Sequence, residues 1–245
     1  MDIVYLFYLL LFLVAFLYAS VGHGGASGYL ALMVLFSVTP EVMKPTALLL
    51  NLFVSLTAFL QFYRGKYFVW KVFFPLALAS VPMAFVGGLI TIDAFIYKKI
   101  LGVLLLFSVI KFLIPSKTAA VELRPSHFMG ALIIGGVIGL LSGMIGIGGG
   151  IILSPLLLLF KWTDQKQTAA ISALFIFVNS ASGLMGQLTN GIQLSGDMFG
   201  YVAIAFVGGI AGAYFGAMKF KQPVMQKILA IVLAVASYKL LFTAA

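Results

Sequence analysis

Apolar runs close to the length of a bilayer crossing recur from one end of this chain to the other, and no water-soluble domain could hide them. They fall at about 3–21, 27–38, 45–63, 72–92 and 96–113, and again at about 128–146, 151–160, 167–187, 198–218 and 224–242. Hydrophobic residues make up 63% of the chain and charged residues only 9%, too few to coat a soluble surface. Alternating strand patterns of about ten residues are absent, which argues against a β-barrel. The chain therefore reads as an all-α polytopic membrane protein. A net charge of +9 does not point to nucleic acid, because the basic residues are scattered through short loops, as they are on the cytoplasmic side of a membrane protein. With no cysteine, disulfides, thiolate metal sites and cysteine catalysis are excluded. The opening "MDIVYLFYLLLFLVAF" lacks a basic leader and reads as a mature helix rather than a cleaved signal.

The chain contains one unit twice. "ASVGHGGASGYLAL" (19–32) aligns with "GMIGIGGGIILSPL" (143–156), so that Gly22, Gly24 and Gly25 fall on Gly146, Gly148 and Gly149. "KKILGVLLLFSVIKFL" (98–113) aligns with "QKILAIVLAVASYKLL" (226–241), placing Lys111 on Lys239. The second alignment needs four more residues of offset than the first, most simply accommodated in the loop around "GQLTNGIQLSGD". The first repeat covers 1–113, a polar linker covers 114–127, and the second repeat covers 128–245. The second apolar segment of each copy is too short to span as a helix that rises about 1.5 Å per residue. Each reads as a half-helix following a glycine break.

Charge sets the expected topology. If the broken first pair of each copy enters the membrane and returns, one face carries Arg64, Lys66, Lys71, Lys111, Lys117, Arg124, Lys161, Lys166, Lys219, Lys221 and Lys227, and the other only Lys44, Lys98, Lys99 and Lys239. That bias predicts a cytoplasmic linker, both termini outside, and two repeats inverted relative to each other. Inverted repeats with broken helices are the architecture of secondary transporters, whose sites lie at the repeat interface near the midplane.

The residues "GMIGIGGGIILSPLLLL" (143–159) followed by "QTAAISALFIFVNSASG" (167–183) resemble the sulfite exporter TauE/SafE family, also called the toluene-sulfonate uptake permease family. The resemblance covers nearly the whole chain. The first copy departs from it, with His23 and Ala26 where the second has Ile147 and Gly150, and no proline matching Pro155. The resemblance implies transport of small sulfur-containing anions, sulfite or sulfonates, across the cytoplasmic (inner) membrane.

The residues themselves suggest how an anion would be held. A helix start leaves N–H groups without intrahelical partners and carries about half a positive charge. Inside a bilayer those groups must be satisfied by protein, water or ligand, and an oxyanion supplies acceptors and negative charge together. The expected substrate-binding residues are Gly22, His23, Gly24, Gly25, Ser27 and Asn51 in the first copy, and Gly146, Gly148, Gly149, Gly150, Ser154 and Asn179 in the second. Thr46, Thr168 and Ser172 lie near the broken segments, where back-bonding to helix carbonyls is the more ordinary role. His23, the one histidine within a membrane segment, is the candidate for proton coupling. Gly135, Gly139 and Gly143, and Gly208, Gly212 and Gly216, are expected to let helices pack closely, and Gln61 and Gln187 to sit at the membrane interface. No Asp or Glu lies inside an apolar segment, which argues against a carboxylate relay. No catalytic residue, metal or cofactor is assigned. The expected partners are a small anion, the lipid bilayer and, with His23, protons; the sequence carries no sign of an oligomeric state. Two alternatives fit parts of the pattern. One is a passive anion channel. The other is an intramembrane serine protease pairing Ser27 of "GGASGYL" with His127.

Overall fold

A bilayer leaves the backbone one economical way to cross, a helix that satisfies its own peptide groups, and the chain takes it throughout. The computed structural model describes residues 3–20, 25–113, 123–192, 194–216 and 222–243. Gly22, His23, Gly24 and most of the 114–127 linker lie outside the described residues. The described helices are α1 (Ile3–Ser20), α2 (Ala26–Leu35), α3 (Pro40–Arg64), α4 (Trp70–Leu89), α5 (Ala94–Leu113), α6 (Phe128–Ile145), α7 (Gly150–Leu159), α8 (Gln165–Thr189), α9 (Gly196–Gly216) and α10 (Gln222–Tyr238), the last running into a π-helical turn, Lys239–Thr243. Four of them, α3, α4, α6 and α8, are long and apolar enough to cross a membrane by length and composition. The fold is that of an all-α polytopic membrane protein.

The sequence explains where the helices start. Pro40 opens α3 at a position where its missing N–H costs nothing, with Glu41 in the first turn. Asp164 and Gln167 form a reciprocal capping box at the start of α8: the Gln167 amide donates to Asp164 Oδ1 at 2.8 Å, and the Asp164 amide donates to Gln167 Oε1 at 3.2 Å. The half-helices α2 and α7 each have ten residues. The four extra residues of the second copy are not confined to the loop around "GQLTNGIQLSGD". The helix boundaries spread them one at a time, over the α7–α8 loop, the α8–α9 loop, α9 and the α9–α10 connection.

Helix packing exchanges between the copies. α1 lies along α9 and α6 along α4; α3 packs on α9 and α8 on α4; α3 packs on α8, and α5 on α10. The closest approaches are built on glycine, as expected. A Cβ at Gly135, Gly139 or Gly143 would lie 2.2, 2.2 or 1.9 Å from the carbonyl oxygen of Leu76, Ser80 or Ala84 on α4. On the other pair, a Cβ at Gly208 or Gly212 would lie 2.6 or 2.1 Å from the carbonyl oxygen of Phe12 or Phe16 on α1. The surroundings of Gly216 lie outside the described residues. Lipid provides no hydrophobic drive for helices to associate, so this backbone-to-backbone fit supplies van der Waals contact that larger residues would forfeit.

Each half-helix returns toward the end at which its pair began. The rings of Phe7, near the start of α1, and Phe36, just after α2, are 5.1 Å apart. A Cβ at Gly130, in the first turn of α6, would lie 3.8 Å from Trp162, just after α7. The loops gather in two groups at the two ends of α3. At one end Lys166 Nζ donates to Tyr67 OH at 3.0 Å, and the Arg124 amide donates to the Lys161 carbonyl at 2.8 Å. At the other end Lys44 lies over the Tyr97 ring at 4.7 Å, Lys99 donates to the Leu241 carbonyl, and Lys239 donates to the Leu35 carbonyl at 3.1 Å. The copies are not covered alike. One packed core gathers α1, α2, α3, α5 and α10, with Leu11, Tyr29, Leu48, Leu101 and Leu233 at its centre. A smaller one joins α4, α6, α7 and α8 through Leu76, Ile138, Leu153 and Phe175.

The glycine contacts give a direct test. Gly139→Ala should destabilise the purified protein by about 1–3 kcal/mol, the usual cost of overpacking. Gly136→Ala, whose Cβ would meet Met83 Cγ at an ordinary 3.7 Å, should leave the melting temperature in detergent near that of the wild type. Equal melting temperatures for the two variants would show that the α4–α6 contact is not what holds these helices together.

Candidate functional site

Both breaks are made by glycine in a conformation that other residues rarely adopt. Gly25, the N-cap of α2, has φ +81°, and Gly149, the N-cap of α7, has φ +80°. Gly146 closes α6 at φ +89°, and Gly148 follows at φ +71°. Such left-handed values are disfavoured by about 1–2 kcal/mol for a residue with a Cβ. A glycine N-cap also brings no side-chain oxygen, so neither half-helix has a side-chain cap. The first amides to find acceptors belong to Gly28 and Tyr29 in α2, on the Gly25 carbonyl, and to Ile152 and Leu153 in α7, on the Gly149 carbonyl. The amides of Ala26 and Ser27, and of Gly150 and Ile151, have no intrahelical acceptor.

These two bare helix starts meet at one internal cavity of about 20 Å³. The first copy lines it with Tyr18, Gly25, Ala26 and Ser27; the second with Ile147, Gly150, Ile151, Ser154, Ser172 and Ile176. Tyr18 OH and Ser27 Oγ are 2.7 Å apart. Ser154 Oγ donates to the Gly150 carbonyl at 2.7 Å and lies 2.9 Å from Ser172 Oγ. No lysine or arginine is among the lining residues. Tyr29 is fully buried and its hydroxyl has no hydrogen-bond partner. That hydroxyl lies 2.7 Å from where a Cβ on Gly25 would stand, so the phenol occupies space that only glycine leaves open.

The candidate residues separate into four groups. Gly25, Ser27, Gly150 and Ser154 line the cavity. Gly148, Gly149, Asn51 and Asn179 build the wall behind it. Asn51 Nδ2 donates to Ser180 Oγ at 3.2 Å, and both press on Gly148, where a Cβ would lie 2.6 Å from that nitrogen. Asn179 Nδ2 bonds back to the Phe175 carbonyl at 2.8 Å, and a Cβ on Gly149 would lie 2.9 Å from the Phe175 ring. The side-chain oxygens of both asparagines are buried without partners. Gly146 stands apart from the cavity, packed on the backbone of Lys44. Gly22, His23 and Gly24 lie outside the described residues. Thr46 bonds back to the Val42 carbonyl at 2.6 Å, and Thr168 pairs with Thr163 at 2.7 Å.

Two features escape a reading of sequence. Tyr18 and Tyr29 look like ordinary aromatic residues of apolar helices, and only the fold turns their hydroxyls toward the break. Gln187 is not interfacial: it is 2% exposed and its Nε2 donates to the Gly143 carbonyl at 3.1 Å. The 25-residue α8 keeps position 187 inside the bundle, where its amide satisfies a carbonyl orphaned by the end of α6. Tyr97 OH does the same for the Ile145 carbonyl at 3.1 Å, and the Gly146 amide for that of Ser142 at 2.8 Å.

A helical membrane bundle with two interrupted segments, whose uncapped starts meet inside it, is built as transporters are. The chain belongs to the family described as sulfite exporter TauE/SafE, whose model matches residues 7–240. It is 35% identical over 237 residues to a protein of Sinorhizobium fredii named "Probable membrane transporter protein", an alignment covering 94% of this chain and 95% of that one. It is 28% identical over 204 residues to a protein of Methanocaldococcus jannaschii with the same description, covering 79% of this chain and 75% of that one. No solved structure matches the chain. The protein is a multi-pass membrane transporter.

The break geometry predicts unequal costs for adding one methyl group. Gly191 has φ +88° with nothing within 4 Å of a Cβ, so Gly191→Ala should cost only the backbone strain, about 1–2 kcal/mol. At Gly149 a Cβ would also lie 2.7 Å from Ile138 Cγ2, so Gly149→Ala should lower the melting temperature by clearly more. Equal losses would mean that the loop relaxes and does not need the close approach of Phe175 and Ile138.

Proposed function

We propose that this protein is a secondary transporter of small sulfur-containing anions, sulfite or sulfonates, which it binds between the N-termini of α2 and α7. The observation that carries the reading is the convergence of two uncapped helix starts on one buried cavity. Four amides without intrahelical acceptors and the hydroxyls of Tyr18, Ser27, Ser154 and Ser172 offer donors to an oxyanion, and none of the described lining residues is basic. The family's description as sulfite exporters supports the sulfur-anion class.

A cavity of about 20 Å³ admits about one water molecule and not a four-atom oxyanion. Binding would therefore require α2 and α7 to separate, a step natural to a carrier and unneeded in an open pore. We read the two copies as inverted. The return of each half-helix toward its starting end supports three net crossings per copy. The grouping of Lys166 with Tyr67, and of Lys239 with Leu35, at opposite ends of α3 supports it further. The eleven-to-four charge bias then supports a cytoplasmic linker and external termini in the cytoplasmic membrane. A monovalent anion gains about 2.3 kcal/mol per 100 mV on leaving an inside-negative cell, which favours export without a coupling ion. Concentrative uptake would need a co-transported cation, with His23 as the candidate proton carrier.

The protease alternative has less support. Ser27 Oγ is bonded to Tyr18, and His127 caps the start of α6 near Trp162 rather than the break.

Two measurements test this reading. A panel of sulfite, sulfate, methanesulfonate and acetate, titrated against the melting temperature of the purified protein, should show stabilisation by sulfite or the sulfonate. Ser27→Ala should weaken that binding by about 1 kcal/mol or more, the usual worth of one hydrogen bond to a charged group, and stabilisation by none of the panel would sink the assignment. A reporter fluorescent only in the cytoplasm, fused after Ala245, should stay dark; a bright fusion would reverse the orientation.

A further inference from the structure

The half-helix α2 is charged from its far end. Its last carbonyls, those of Val34 and Leu35, accept from the ammonium of Lys239 at 2.9 and 3.1 Å, and Ser37 Oγ accepts from it at 3.0 Å. Lys239 stands where the helix type changes. α10 packs along α2 and, at Lys239, widens into the π-helical turn Lys239–Thr243. A π turn takes up more residues than an α turn and so re-aims the side chains that follow. Lys99 anchors the same turn by donating to the Leu241 carbonyl.

A cation bonded to the last carbonyls of a helix neutralises its negative pole and leaves the positive pole unopposed. α2 has ten residues, about 15 Å, so that positive pole is its first turn, with the amides of Ala26 and Ser27 that have no intrahelical acceptor. α7 ends on the same backbone pattern: the amides of Phe160, Trp162 and Lys161 donate to the carbonyls of Leu156, Leu157 and Leu158, as those of Phe36, Val38 and Ser37 donate to Leu32, Met33 and Val34 in α2. What α7 lacks, among the described residues, is a lysine ammonium on its last carbonyls like that of Lys239 on α2. Each copy lines the cavity with two hydroxyls bonded to each other, Tyr18 with Ser27 and Ser154 with Ser172. The first copy adds the buried, unpartnered hydroxyl of Tyr29 beside Gly25, whereas the second adds Ile147, Ile151 and Ile176 to the lining.

We infer that the anion is held at the α2 pole, and that Lys239 is the positioning residue that sets the strength of that pole from the opposite end of the helix. The inference rests on the cavity being the anion site. It gives the two half-helices separate work: α2 supplies charge and donors, while α7 supplies an apolar wall and the partner against which α2 moves.

The test uses the full chain with sulfite as the probe, or methanesulfonate if the panel selects it, and three substitutions. Lys239→Met removes both charge and hydrogen bonds, Lys239→Gln keeps a donor without charge, and Lys239→Arg keeps both. Affinity should fall about two- to fivefold in the Met and Gln variants, somewhat less than a bare Coulomb interaction across about 15 Å at an effective dielectric of about 20 would give, and stay near wild type in the Arg variant. Melting temperatures without ligand separate this from simple loosening of α2. If the Met variant fails to fold, the Gln and Arg pair still decides. Equal affinity in the Gln and Arg variants, or wild-type affinity in all three, would overturn the inference while leaving the site in place. A wild-type protein that binds no anion of the panel would overturn the site and this inference together.

Discussion

A peptide N–H that has no acceptor inside a bilayer is costly, by several kcal/mol if nothing meets it, and the starts of α2 and α7 have neither a side-chain cap nor an intrahelical acceptor for their first amides. The opposite helix ends nearby are better met. The closing carbonyls of α6 are met by the Gly146 amide, the Gln187 side chain and the Tyr97 hydroxyl. Those of α2 are met by three amides of its own loop and by Lys239, and those of α7 by the three matching amides. Among the described residues, the carbonyl ends find partners that the amide ends do not. An interior of this kind would select anions through backbone groups, which no count of charged residues would reveal.

The frame that carries these ends is built on glycine. α4 and α6 meet backbone to backbone along Gly135, Gly139 and Gly143, and α9 meets α1 along Gly208 and Gly212. These contacts join the first copy to the second rather than each copy to itself. The half-helices meet the frame through side chains instead: a Cβ on Gly28 would lie 2.3 Å from the Tyr18 ring, and one on Gly150 2.3 Å from Ile176 Cδ1. The side-chain oxygens of Asn51 and Asn179 are buried without partners, and the Asn51 amide stands beside Gly148.

Much of this was legible in the chain itself. Apolar length gave ten segments within a few residues of the helices, because a bilayer core permits little else. The glycine repeat located both breaks, since a left-handed N-cap needs a residue without a Cβ and an alignment of glycines finds such positions. Four of the candidate residues, Gly25, Ser27, Gly150 and Ser154, line the cavity because they stand at those breaks. Less legible was any polar residue whose meaning depends on a neighbour. Gln187 reads as interfacial when judged by its distance from a segment end, yet it caps the Gly143 carbonyl.

The sequence by itself determined the class of fold, the position of the breaks and the absence of any carboxylate from the interior, because each of these is a local property of composition and spacing. Only the tertiary structure decided which hydroxyls join the cavity and which lysine closes α2. Tyr18, nine residues from Ser27, and Lys239, 202 residues from Ser37, come into reach through helix packing. No periodicity within a segment records which face of a distant helix will lie beside it. In a bilayer the apolar surface faces lipid and neighbours alike, so the hydrophobic pattern that orients helices in water carries little of that information here.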